Sequence, residues 1–261
     1  MITVNTTELF PSDNVIHISL SNGKKYKILL KDYENLPFEC KPDSLLENII
    51  IDVSKIDLSE TNKYFDGDCV AFLAFLSAKY AIYKSAVAKV ALTDIPKKQL
   101  FQKLYYSYSQ YLKNEIEPET LKILCGLVCG EFEASGYVDD RRYSLDKAKY
   151  LKEYKKYGSG RIKEYLYQKK IPADVIAEVL EDEFFSDEES KLENMRSLLK
   201  KKYGEDLNRL DKSDRNAVQK AINMLIRNGY KYQDAKNAVA DLTDDTDNID
   251  IIENGDYEDE F

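Results

Sequence analysis

The chain of 261 residues has no tryptophan, one histidine, six prolines and four cysteines. Each shortage removes a class of function. With His17 as the sole imidazole, no nucleophile–histidine pair is readable and a multi-histidine metal centre is excluded. Cys40, Cys69, Cys125 and Cys129 are too few for a disulfide framework in a chain this long. Cys125 and Cys129 would share one helix face, but a metal needs two further ligands, so all four read as small buried hydrophobes. No apolar run approaches the ~18 residues that a membrane span requires. The opening Met1-Ile2-Thr3-Val4 is neither a basic start nor an apolar core, so the expected compartment is the cytoplasm. Gly158-Ser159-Gly160-Arg161 lacks a Gly-Lys-Ser/Thr ending and does not follow a strand, which argues against a nucleotide loop. The expectation is a protein with no metal, no cofactor and no catalytic group.

What the chain has instead is charge, at 33% of residues, and 20 tyrosines. The net charge of −9 is a local property. Residues 241–261 hold ten acids and no Lys or Arg, and the remainder balances 38 bases against 37 acids. A block of like charge of this kind reads as a disordered-like tail.

Hydrophobic periodicity divides the rest. Ile16, Ile18 and Leu20 alternate with polar residues, Asn22-Gly23 follows, and Tyr26, Ile28 and Leu30 alternate again. This predicts a hairpin whose two turn positions both take positive φ. A lone hairpin is marginal in water, so it needs a further strand or a helix to pack on. Asp43 is placed to cap a short helix through Leu45-Leu46. From about residue 66 the period becomes helical, with helices predicted near 67–90, 95–113, 117–135, 140–157, 160–169, 172–183, 187–203, 212–228 and 231–242. Gly136, Gly158, Gly160, Gly204 and Gly229 mark stops, and Pro172 suits a first turn. The helices group in threes, because each is too short to stand alone. Within one group, Ile162, Tyr165 and Leu166 form one stripe, Val175, Ile176, Val179 and Leu180 a second, and Leu145, Ala148, Leu151 and Tyr154 a third.

The predicted fold is mainly α: three tandem three-helix repeats in an elongated array, after a small β-hairpin-containing segment and before the acidic tail. The expected divisions are 1–62, 66–136, 137–185, 186–242 and 243–261. Nothing in the sequence demands more than a monomer.

Residues 141–170 hold eleven bases against three acids, a charge of +8. Arg141, Arg142, Lys147, Lys152, Lys156, Arg161, Lys163, Lys169 and Lys170 are the candidate partner-binding residues. Tyr150, Tyr157, Tyr165 and Tyr167 interleave with them. Such a stretch suits a phosphate backbone or an acidic protein groove, and it is also what a solvated helix face looks like. Asp139-Asp140 reads as a helix cap rather than a catalytic pair. Ser159 is placed to cap the next helix, whose first amides would then be open to a phosphate.

Gly136-Tyr137-Val138-Asp139-Asp140-Arg141-Arg142-Tyr143, then Gly158-Ser159-Gly160-Arg161-Ile162-Lys163-Glu164-Tyr165-Leu166 and Ile171-Pro172, closely resembles the central repeat of the RecX family of recombination regulators. Asp94-Ile95-Pro96 and Asn228-Gly229-Tyr230 resemble parts of its first and third repeats. Arg141-Arg142 departs from the family's usual acid and base at these positions. The resemblance implies binding to RecA recombinase filaments, with single-stranded DNA met through the filament, and inhibition of ATP hydrolysis and strand exchange. The alternatives are direct DNA binding and a helical scaffold for another protein.

Overall fold

The computed structural model describes residues 4–34, 69–111, 116–182 and 187–243, apart from 206, 208 and 212. Cys40, the Asp43-capped helix and the acidic tail beyond Thr243 lie outside the described residues. The chain divides into two compact units, Met1–Val138 and Asp139–Phe261. No described helix is long and apolar enough to cross a membrane.

The first unit opens with an antiparallel meander, β1 (Val4–Phe10), β2 (Val15–Leu20) and β3 (Lys25–Leu29), in the order β1-β2-β3. The hairpin is therefore not alone: β1, which the sequence pattern did not reveal, pairs Leu9 with Ile16 and Thr7 with Ile18. β1 escaped notice because Asn5, Thr6, Glu8 and Phe10 are all exposed, so it carries no apolar alternation. The β2–β3 turn also differs from expectation. Only Gly23 takes positive φ (82°), and the Gly23 amide donates to the Leu20 carbonyl across a three-residue loop. Asn22 serves through its side chain, accepting from the Lys24 amide at 3.1 Å.

Ile16, Ile18, Leu20, Tyr26 and Ile28 point from the sheet into the core. There they meet Leu73, Phe75 and Leu76 of α2 (Cys69–Leu92), which follows the short α1 (Leu30–Glu34). The Lys27 amide on the outer edge of β3 donates to Ser77 Oγ of α2. α3 (Lys97–Tyr111) and α4 (Pro118–Ala134) complete the core through Leu100, Leu104, Leu124, Cys125, Val128 and Phe132. Each such side chain contributes about 1.5–3 kcal/mol when fully buried. Cys125 and Cys129 are buried free thiols, and burial pushes them up to about 12 and about 11. Both sit in the core as unreactive hydrophobes.

A charged joint fastens α1, α2 and α4 to one another. Lys79 of α2 is 7% exposed and donates to Asp32 of α1 at 2.7 Å. It also pairs with Glu131 of α4, which Lys31 reaches from the other side at 2.6 Å. Burial alone would push Lys79 down, but its bonds to Asp32 and Glu131 outweigh that and hold it above its ordinary value. Glu131 moves the opposite way: burial would raise it, and the two lysines hold it below the usual carboxylate range.

The second unit contains α5 (Asp140–Lys155), α6 (Ser159–Gln168), α7 (Ala173–Leu180), α8 (Glu188–Tyr203), α9 (Arg215–Arg227) and α10 (Tyr232–Thr243). Among the described residues, the nine longer helices fall close to their predicted positions. Asp139, Asp187 and Asp214 each cap a helix by accepting amides of its first turn. Tyr143, Ala148, Leu151, Ile162, Leu166, Ile176 and Val179 form the α5–α7 core. Met195, Leu199, Ile222, Leu225, Tyr230 and Val239 are the centre of the α8–α10 core. Pro172 stands one residue earlier than expected, as the N-cap of α7 rather than in its first turn.

Candidate functional site

The basic stretch forms α5 and α6, and their packing sorts its cations. Ile162 and Leu166 are fully buried, which fixes the inward side of α6. Both flanks then carry Lys–Tyr pairs one turn apart. Lys163 lies 5.9 Å from the Tyr167 ring and Lys169 lies 5.3 Å from the Tyr165 ring. On α5, Lys147 lies 5.7 Å from the Tyr143 ring. Tyr150 and Tyr154 stack at 5.2 Å while remaining 47% and 71% exposed. Tyr154 thus leaves the core stripe predicted for it. The buried side of α5 ends at Leu151 and Lys152, and Tyr154 lies on the exposed side of the last turn.

Arg142, Lys163 and Lys170 are exposed; Lys147, Lys156 and Lys169 are half-buried. Arg141 is exposed and paired with Glu178 of α7. An exposed pair of this kind adds little stability and leaves the guanidinium accessible. Lys152 does not fit a contact surface: it is 6% exposed, and burial pushes its pKa down. Its backbone carbonyl accepts from the buried Asn194 side chain of α8 at 3.3 Å.

Arg161 has a different task from the others. Its Nη1 donates to the Arg227 carbonyl at 2.9 Å and reaches Asn228 Oδ1 at 3.4 Å, while its guanidinium lies 4.3 Å from the Tyr157 ring. The neighbouring backbone does the same. The Gly158 amide donates to the Asn228 carbonyl at 2.8 Å and the Gly160 amide to the Gly229 carbonyl at 3.0 Å. Tyr230 returns a bond from its hydroxyl to the Lys156 carbonyl at 2.9 Å. The Gly-Ser-Gly-Arg motif is a clasp on the α9–α10 turn. Gly158, with no side-chain bond, is the N-cap of α6, so Ser159 is not the cap expected for it. Of the amides around this helix start, which were expected to be open to a phosphate, those of Gly158 and Gly160 are already used.

The clasp depends on missing side chains. A Cβ on Gly158 would stand 2.4 Å from the Gly229 carbonyl oxygen, and one on Gly229 would stand 2.2 Å from the Arg161 amide nitrogen. Sequence reasoning marked these glycines as helix stops; nothing in the one-dimensional pattern pairs residue 158 with residue 229.

Residues 139–180 match the family model of the RecX second three-helix domain. The chain carries a RecX three-helix domain. That domain spans α5, α6 and α7 and includes all nine candidate residues. The resemblance to the RecX family is borne out there by sequence, and more widely by fold. A crystal structure of regulatory protein RecX superposes with a TM-score of 0.63 at 15% identity, covering 94% of this chain and 100% of that one. The crystal structure of RecX from Lactobacillus salivarius gives a TM-score of 0.51 at 16% identity, covering 63% of this chain and 96% of the other. No curated protein sequence matches the chain. At these identities the superpositions speak for a RecX-like, mainly helical fold. Among the described residues, no group of three or more His, Cys, Asp or Glu could hold a metal ion.

Proposed function

We propose that the chain is a RecX-type regulatory protein that binds RecA recombinase filaments on DNA and inhibits their ATP hydrolysis and strand exchange. It would act in the cytoplasm, in recombination and DNA repair. The observation that carries this reading is the RecX second three-helix domain at 139–180 within a chain of RecX-like fold. The basic, tyrosine-lined surface of α5 and α6 supports it, since a filament on DNA offers acidic protein and phosphate surfaces. Within that surface, Arg141, Arg142, Lys147, Lys156, Lys163, Lys169 and Lys170 are the contact residues; Arg161 and Lys152 serve the fold.

The deciding experiment is the DNA-dependent ATPase of the cognate recombinase with substoichiometric chain. Inhibition is expected, and its absence together with no filament association would overturn the reading. The stacked, exposed Tyr150–Tyr154 pair beside these lysines favours a second reading, direct binding of single-stranded DNA. That reading expects tight binding without recombinase and a steep salt dependence.

A further inference from the structure

The basic stretch of α5 and α6 has a counterpart in the first unit, where packing rather than sequence order gathers the charge. α2 and α3 carry six lysines and no acid between them. Lys79 and Lys97 are committed to Asp32, Glu131 and Glu133. Lys89 and Lys103 are not: among the described residues, neither meets a carboxylate. With Gln102, Tyr106 and Ser107 they line a hollow of about 380 Å³ between the two helices. Sites for small ligands start at about 300 Å³.

The walls of the hollow are held in place. Leu100 and Leu104 are fully buried on the inner side of α3, and the Tyr108 hydroxyl donates to the Ala81 carbonyl of α2 at 2.7 Å. Gln102 and Lys103 lie one helical turn before Tyr106 and Ser107, so all four share the outer side of α3, where each is exposed. An acidic side chain would engage the lysines and leave the rest of this lining unused. The Tyr106 ring is 75% exposed, a flat surface on which a base stacks. The Gln102 amide has a donor and an acceptor for a base edge. Ser107 donates its hydroxyl to the Lys103 carbonyl at 2.8 Å, which keeps its oxygen as a further acceptor.

We propose that this hollow binds a nucleotide unit, with its phosphate between Lys89 and Lys103 and its base on Tyr106. The same unit occurs free in solution and within a single strand of nucleic acid. The site lies wholly in the first unit and shares no residue with α5 or α6. It therefore stands or falls independently of the regulatory reading.

Ligand-observed NMR titration of the full chain with AMP, adenosine and inorganic phosphate tests this without recombinase. AMP is expected to bind at least about tenfold more tightly than adenosine or phosphate, because each of those supplies only half of the contacts. The K89Q/K103Q variant and, separately, Tyr106→Ala should each weaken AMP binding by about tenfold. Tyr106→Ala removes an exposed ring, so it tests the site even if the double variant folds poorly. Lys84→Gln takes a charge from α2 outside the hollow and should leave binding unchanged. No AMP binding, phosphate binding as tight as AMP, or AMP binding untouched by both site variants overturns the proposal. An oligodeoxyadenylate strand, titrated into the same variants, identifies the source. Binding tighter than AMP and lost in both variants assigns the unit to a strand; binding no tighter than AMP assigns it to a free nucleotide. Either result supports the site.

Discussion

The two units fasten their parts by opposite means. In the first, three helices are tied together by charge: Lys79 of α2 sits between Asp32 of α1 and Glu131 of α4, with Lys31 closing the set. In the second, α6 is tied to the α9–α10 turn mainly by bare backbone, with glycines on both sides of the contact. A charged joint needs matched partners in low dielectric and responds to pH and to loss of either sign. A backbone joint needs only clearance, and responds to added volume.

The largest expected effect is on the backbone joint. Gly229→Ala places a methyl group against Arg161 at a φ of +92°, and should cost about 4 kcal/mol from overpacking plus left-handed strain. Gly136 ends α4 in the same left-handed way, at φ +73°, but a Cβ there meets nothing within 4 Å. Gly136→Ala should therefore cost only about 1 kcal/mol. Denaturant unfolding of the two variants separates clash from strain, and equal losses would refute the clasp.

Next comes the charged joint. Lys79→Met takes the lysine from Asp32 and leaves Glu131 with Lys31 alone, and should remove about 3 kcal/mol from the first unit. Amide exchange should show the loss in the Ile16–Ile28 strands and not at Gly158 or Gly160.

A change of pH should distinguish the joints without mutation. Glu131 has a lowered folded pKa, so its contribution is complete above its ordinary value of 4.5 and fades as pH falls through the folded value. Lys79 has a raised one, so its contribution is complete below 10.5 and fades as pH rises through the folded value. The amide–carbonyl bonds of Gly158 and Gly160 do not titrate. As pH is lowered from 4.5 through the folded Glu131 value, amide exchange should show the charged joint loosening while protection at Gly158 and Gly160 holds.

The smallest effect concerns Arg161. Arg161→Ala removes one charged donor from a half-buried site and should cost about 1.5 kcal/mol. Charge reversal at Lys163 or Lys170 should leave stability unchanged. ATPase inhibition should fall in the lysine variants out of proportion to stability, and in Arg161→Ala only as far as the clasp loosens.

Helices were legible from their apolar stripes, and Asp139, read as a cap, does cap α5; Asp187 and Asp214 cap α8 and α9, where the sequence reading named no cap. Where burial is absent the pattern is silent, so β1 was missed and Tyr154 was placed in the wrong environment. The family resemblance came from the local order of Gly-Tyr-Val-Asp-Asp and Gly-Ser-Gly-Arg. What local order does not hold is partnership across distance. Asp32 with Lys79, and Arg161 with Arg227, are separated by 47 and 66 residues. Lys152 shows the same limit: composition counts it as a surface charge, and only packing reveals that it is buried.

The clasp also has a consequence for divergence. Its backbone bonds are written in atoms common to every residue, so they place almost no demand on side-chain chemistry. The surroundings of Gly158 and Gly229 are free to drift toward new surfaces, and the two helical cores can be retuned separately, provided both positions stay without a β-carbon. In such a design the most constrained letters are the ones that contribute no side chain at all.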